Sequence, residues 1–310
     1  MINEINHKIG VVVVTFNSEI FLNEFFKSIE KQTFTNYNLY FIDNYSSDNS
    51  LDKINDWEVD NKKVISNDKN FGIAKANNQG IQLALEDKCR YVLLINDDTS
   101  FPPDCFEKLL NGLNDNDADL VAPITYYFDD PAKIWSAGGY FNNFFKSEVK
   151  HYGINQKNSV KFSKVRRITY APTSCLLFKS SLINEIGIMD EKYFIYVDDV
   201  DFCYRATIIN KKKMLCIPNI SFLHKVNGHS EKSTNQFKSD FFIRYTIRNT
   251  VYFCLKFLDY RKAMFLIIYF FKINLKVLLQ KDYKRSFWSF ITVNKYYFKG
   301  FFSRGTIESN

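Results

Sequence analysis

Residues 96 to 98 read Asn-Asp-Asp, and they follow directly on the apolar run 92–95. Two adjacent carboxylates at the end of a buried run repel each other unless a cation sits between them or one takes a proton. A hard divalent ion with oxygen ligands, Mg²⁺ or Mn²⁺, meets that requirement and keeps coordination positions open for the oxygens of a diphosphate. A second acidic group, Asp198, Asp199 and Asp201, lies within DDVD. Such a group offers a carboxylate for general-base work, or serves only as charge at a helix start. His224 follows the apolar SFL and His229 lies close behind it. Taken alone, a histidine in that setting is more often packed or solvated than a ligand.

These residues need elements to hold them. The stretches IGVVVVTF (9–16), NLYFID (38–43), KKVIS (62–66) and YVLLIN (91–96) read as strands of a parallel sheet, and DLVAPIT (119–125) as a fifth. Helical spacing of apolar residues appears in NEFFKSIEKQ (23–32) and FGIAKANNQGIQLALED (71–87). Alternation of this kind predicts an α/β fold with helices over the sheet. In such a sheet ligands bind beyond the carboxyl ends of the strands. At those ends stand Thr15 and Asn17, Asp43 and Asn44, Asp68, Lys69 and Asn70, and Asn96, Asp97 and Asp98. Each of these, taken singly, also suits an ordinary turn or helix start; four strand ends together point to one ligand edge.

Beyond residue 125 the pattern loosens. IWSAGGYFN and RRITYAPTSCLLF predict antiparallel strands, with a loop over 142–164 between them. SSLINEIG predicts a short helix, residues 199–210 a longer one, and KMLCIP a strand. From about 236 Gly and Pro are almost absent until Gly300, which predicts two or three amphipathic helices.

Composition bounds the rest. At 310 residues, 46% apolar and 17% aromatic, the chain can bury a sizeable core and is not a disordered protein. Its six cysteines include no CxxC pair, which argues against a zinc knuckle or disulfide framework and favours a reducing cytosol. The opening MINEINHKIG is too polar for a cleaved leader, and MFLIIYFF at 264–271 is too short to span a bilayer. Residues 241–310 carry 13 Lys and Arg against 3 Asp and Glu, with 20 of the 53 aromatics. The expected division is therefore a catalytic domain over 1–240 and a basic, aromatic-rich helical extension over 241–310. Such an extension suits an anionic membrane surface, a helical packing layer or a homodimer contact. A nucleic-acid partner would fit the tail alone and leave the polar sheet edge unexplained.

Several stretches together resemble a known family. NDD-Thr after VLLI resembles the DxD-type metal and nucleotide-sugar motif of GT-A glycosyltransferases, in particular the inverting family 2 that includes rhamnosyltransferases and galactofuranosyltransferases. VVVVTFN, DNYSSDNS (43–50), NFGIAKANNQGI (70–81), MDEKYFIYVDDVDFCYR (189–205), FLHKVNGHS (222–230) and RYTIRN (244–249) are similar to its further motifs, in the same order. The resemblance implies a GT-A catalytic domain that moves a sugar from a nucleoside-diphosphate donor. Asp43 would read the base, with Asp68 or Lys69 nearby. Thr15, Asn17, Asn70, Gly72, Lys75, Asn78, Asn96, Asp97 and Asp98 would line the donor side. Asp98 and His224, or the rival His229, would hold Mn²⁺ or Mg²⁺. Asp199 would be the catalytic base, while Asp198, which stands where the family has Glu, and Arg248 would face the acceptor or diphosphate. Asp201 and Arg205 read as a structural i,i+4 pair. The implied donor is dTDP- or UDP-linked, with rhamnose a family-level expectation, and the implied acceptor a polyprenyl-diphosphate-linked glycan at the inner face of the cytoplasmic membrane. A sugar nucleotidyltransferase is disfavoured because TFNSEIF lacks a Gly-rich loop, and a binding module without turnover is the remaining alternative.

Overall fold

The computed structural model describes residues 8–142, 144, 148–225, 240–279 and 283–302. In chain order the elements are β1 (Ile9–Thr15), α1 (Glu19–Glu30), β2 (Tyr37–Asp43), α2 (Ser50–Asp56), β3 (Lys62–Ser66), α3 (Ile73–Glu86), β4 (Tyr91–Ile95), β5 (Thr99–Ser100), α4 (Cys105–Asp115), β6 (Leu120–Tyr127), β7 (Ile134–Ser136), β8 (Gly139–Phe141), β9 (Val149–His151), β10 (Arg166–Ile168), β11 (Cys175–Lys179), α5 (Leu182–Ile186), α6 (Asp198–Tyr204), β12 (Met214–His224), α7 (Asp240–Lys256), α8 (Tyr260–Leu278) and α9 (Tyr283–Phe302).

The main sheet runs β10-β12-β6-β11-β4-β1-β2-β3, with β5 on β12 and β7 on β6. Strands β4, β1, β2 and β3 are parallel, whereas β11 runs antiparallel between β4 and β6. The sheet is therefore mixed, and β1, β2 and β4 of its parallel part are buried on both faces while β3 is a partly exposed edge. Period-two alternation decides which face each side chain serves. Val11, Val13, Leu93 and Ile95 join a core layer with Leu22, Phe25 and Ile29 of α1 and Leu109 of α4. Val12, Val92 and Leu94 join the opposite layer with Ile81 of α3, Phe202 of α6 and Val251 and Phe253 of α7. Helix α7 thus shares the core of the sheet, and Lys262 of α8 reaches the hydroxyl of Tyr204 on α6 at 3.0 Å.

Three elements differ from their sequence-based expectation. The helix predicted over 199–210 is α-helical only to Tyr204 and continues as a π-turn over Arg205–Ile209. There the hydroxyl of Thr207, with one proton to donate, lies 2.7 Å from the carbonyl of Cys203 and 2.8 Å from that of Thr169, competing with the regular ladder. The strand predicted to end at Pro218 runs on to His224, because a register shift between Ile217 and Phe222 absorbs the proline and the left-handed Asn219. The segment IWSAGGYFN forms two short strands on different partners, β7 on β6 and β8 on β9. All six cysteines are buried thiols.

Candidate glycosyl-transfer site

The carboxyl ends of β1 and β2 form one side of the site. Asp43 is buried at the end of β2; its Oδ1 accepts from the hydroxyls of Ser46 at 2.5 Å and Thr15 at 3.3 Å, and its Oδ2 from the Ser46 amide at 3.1 Å. Asn17, exposed and left-handed, closes this corner through its Oδ1, which accepts from the Ser47 amide at 2.8 Å. The turn DNYSSDNS is thereby wrapped around a fixed carboxylate at the sheet edge.

The second side lies at the tip of β4. Asp97 and Asp98 are buried, and Thr99 and Ser100 immediately pair with the end of β12 in the register His224↔Thr99. That two-residue ladder brings His224 Nε2 to 3.1 Å from Asp98 Oδ1, and the Lys225 amide to the Asp98 carbonyl at 2.9 Å. The indole of Trp135 lies edge-on to His224 at 4.6 Å between ring centroids, and the imidazole Nδ1 makes no hydrogen bond among the described residues. A carboxylate oxygen and an imidazole nitrogen at that separation suit neighbouring positions on an octahedral ion, which with bonds of about 2.1 Å stand roughly 3 Å apart. The N/O donor pair fits Mn²⁺ or Mg²⁺. No cluster of three metal-ligating side chains occurs among the described residues, so a diphosphate would have to supply further oxygens. His229 lies outside the described residues.

The third side is the start of α6. Asp199 Oδ2 accepts the hydroxyl of Tyr170 at 2.6 Å, and its Oδ1 accepts the Val200 amide at 2.8 Å. Burial pushes its pKa up, opposed by these two hydrogen bonds. Asp198 is raised well above the ordinary carboxylate range, first by burial and then by the charge of Asp199. The two therefore titrate as a pair. Asp201, fully buried, is neutralised by Arg205 at 2.6 Å and Lys256 at 2.7 Å, so the expected i,i+4 pair forms.

The segment leading into Asp199 is held from two directions. Tyr196 and Val197 are both left-handed, a rare state for a β-branched residue such as Val197. Asn249 of α7 donates to the carbonyls of Ile195 and Tyr196, each at 2.8 Å, and Arg248 to that of Lys192 at 2.6 Å. From α3, Asn78 bonds the carbonyl and amide of Met189 at 2.9 Å each and Glu191 at 3.1 Å, and the Ile73 amide donates to Phe194 at 2.7 Å. Gly72 is left-handed at φ 84°, and a Cβ there would run into the Phe194 carbonyl. Asn70 caps this corner, accepting from Asn44 and from the Gly72 amide at 2.9 Å each.

The residues singled out in the sequence thus fall into two groups. Thr15, Asn17, Asp43, Asn96, Asp97, Asp98 and His224 lie along the carboxyl edge of the sheet, and Lys75 faces the ring of Phe71 at 4.1 Å. Asn78 and Arg248 spend their groups on the loop that precedes Asp199, Gly72 lies against that loop at Phe194, and Asn70 bonds Asn44 and the Gly72 amide. Asp68 and Lys69 are exposed. The segment 170–174 joins the two ends, since Tyr170 bonds Asp199 while the Ser174 carbonyl accepts from the Asn96 amide at 3.0 Å. Tyr170 and Trp135 had no sequence signal of their own, and Asn249 stood out only as the last residue of RYTIRN: they act through contacts with residues 29, 89 and 53 positions away in the chain, respectively.

Known proteins resemble this chain in sequence and fold. The chain is 25% identical over 231 residues to the dTDP-rhamnosyl transferase RfbF of Shigella flexneri, covering 73% of this chain and 72% of that protein. The structure of GalNAc-T7 with UDP, GalNAc and Mn²⁺ superimposes with a TM-score of 0.61 at 14% identity, over 96% of this chain and 56% of that one. S. aureus TarS 1-349 gives 0.53 at 14% identity, over 96% and 73%. The family model for Glycosyl transferase family 2 matches residues 10–187. With more than half of its residues inside that match and a mixed sheet shared with GT-A enzymes, the chain belongs to glycosyl transferase family 2 and is a glycosyltransferase.

Proposed function

We propose that this glycosyltransferase moves a sugar, rhamnose in the first instance, from a dTDP- or UDP-linked donor to a hydroxyl of a lipid-linked glycan, with inversion at the anomeric carbon. The observation that carries the reading is the meeting of Asp98 and His224 at 3.1 Å on the edge that also bears Asp43. Asp43 receives the base. Asp98 and His224 hold a divalent cation, Mn²⁺ or Mg²⁺, whose chemistry is to neutralise charge on the departing nucleoside diphosphate. Asp199 takes the proton from the acceptor hydroxyl as its oxygen attacks. Burial raises the affinity of Asp199 for that proton, which suits a base. A single displacement needs no covalent sugar–enzyme intermediate. The likeness to a dTDP-rhamnosyl transferase supports the donor class.

The proposal extends to place. No helix among the described residues is long and apolar enough to cross a membrane. Helices α8 and α9 nevertheless expose Ile267, Phe271, Leu275, Leu278 and Phe302 beside Lys272, Lys295 and Lys299. Exposed apolar side chains interleaved with lysines suit the anionic face of a membrane, where a polyprenyl-diphosphate acceptor resides. The functional division falls after α7 and not at residue 240, with α7 serving the catalytic side and α8 and α9 the membrane side.

Calorimetric titration of UDP, dTDP and GDP, with and without Mn²⁺, into wild type and Asp98→Ala tests the donor side. Metal-dependent binding of one nucleotide that disappears in the variant is the expected result. Absence of binding under every condition would overturn the reading.

A further inference from the structure

Tyr170 is 5% exposed, yet nothing in its local sequence marks it. Its ring is fixed on several sides. Phe141 meets it edge-on at 6.5 Å between centroids and His151 of β9 at 5.3 Å. Behind it, the Gly139 amide donates to the Tyr170 carbonyl at 2.8 Å, and a Cβ on Gly139 would stand 3.1 Å from the Tyr170 ring and 2.7 Å from the Lys150 carbonyl. A glycine therefore permits the close approach that sets the ring, and the ring sets the hydroxyl. That hydroxyl ends 2.6 Å from Asp199 Oδ2, within a short charge-assisted hydrogen bond. The other carboxylate oxygen is bonded to the Val200 amide of its own helix.

We propose that Tyr170 is a positioning residue for Asp199: its hydroxyl fixes the rotation of the carboxylate and leaves one acceptor site on each oxygen for the incoming hydroxyl. The proposal rests on the reading of Asp199 as the base and adds what aims it. Donation to the ionised form also opposes the burial that raises the Asp199 pKa. Charged and titratable groups around this carboxylate are Asp198, Asp201, Cys203 and Arg205 on its own helical segment, His151 behind Tyr170, and Lys256 of α7 through Asp201. Burial lowers the pKa of His151, so it is neutral at pH 7 and adds no charge. Tyr170 is the side chain that donates to the Asp199 carboxylate in the described structure.

The test is a carbon-detected NMR titration of the aspartate carboxyls of the full chain, with the Asp199 signal assigned by its loss in Asp199→Asn. Tyr170→Phe keeps the ring and removes the donor, and is expected to move the Asp199 midpoint up by about one pH unit or more. A 3-fluorotyrosine placed at 170 is a stronger donor and is expected to move it down. Opposite shifts from two variants of the same shape cannot come from a loss of packing. An unchanged midpoint in both would overturn the proposal. The readout needs no substrate, so an Asp199→Asn enzyme that still transferred sugar would remove the base assignment while leaving the Tyr170–Asp199 link measurable.

Discussion

The amide of Asn249 donates to the carbonyl of Tyr196 at 2.8 Å, across 53 residues of chain, and so ties the first tail helix to a left-handed segment two residues before the Asp198–Asp199 pair. The same amide also holds Ile195. Backbone in that conformation persists only where its surroundings over-determine it.

Removing this clamp has a definite cost. Asn249→Ala leaves two carbonyls without their donor, at about 1–3 kcal/mol by the usual penalty for an unmade buried hydrogen bond. Thermal unfolding is expected to show that loss, and the turnover rate to fall more than donor affinity does. A variant with unchanged melting and unchanged rate would show that the segment holds itself.

Asp199→Asn keeps the shape of the side chain and removes the carboxylate proposed as the base. A loss of about 10²–10⁴ in rate is expected, with calorimetric donor binding unaltered. Normal turnover by this variant would remove Asp199 from the mechanism.

The raised pKa values of Asp198 and Asp199 carry a sign for stability. Both groups, held up chiefly by burial, keep protons in the folded chain at pH values where the unfolded chain, near 3.8, has lost them. The native state binds more protons there, so stability falls as pH rises through that window. Asp198→Asn removes one buried charge and is expected to raise the melting temperature at pH 8 while changing little near pH 4. The gain is on the order of 0.5–2 kcal/mol, typical of relieving a functional site. Calorimetry at the two pH values decides it, and an equal effect at both would refute the linkage.

His224→Ala should weaken nucleotide binding in Mn²⁺ by at least about tenfold, in the range seen when the support of a metal site is cut. Binding measured in EDTA should not distinguish the variant from wild type. A difference that persists in EDTA would assign His224 a packing role against Trp135.

Flotation with anionic vesicles tests the tail. Phe271→Ser with Leu275→Ser replaces two exposed apolar side chains on α8 and should lower recovery with the vesicles, since each buried side chain is worth about 1.5–3 kcal/mol. Equal recovery of variant and wild type would remove the membrane contact.

Much of this architecture was legible from residue types. Period and β-branching marked β1 to β4, and the polar residues at their ends marked the sheet edge where Asp43, Asp97 and Asp98 are buried. The tail helices were visible from the lack of Gly and Pro. What escaped was non-local. The pairing of Thr99 with His224 rests on a two-residue strand too short to have a period. The passage of β12 through Pro218 needed a bulge that no residue announces. The left-handed Val197 carries no glycine signal, and its conformation is imposed by the clamps around its segment. Asn78 and Arg248 were recognisable as motif residues, yet the loop that receives their hydrogen bonds could not be read from spacing.

The order of the strands has a consequence for how the enzyme is made. The last strand among the described residues, β12, lies inside the sheet between β6 and β10, and it carries His224. Until it has emerged, a nascent chain presents β6 as a long, largely apolar open edge, the kind of surface that pairs with other chains. The segment before Asp199 waits longer still, for the donors on α7. Both halves of the site therefore close late and over long chain separations, which makes their assembly a slow step of folding.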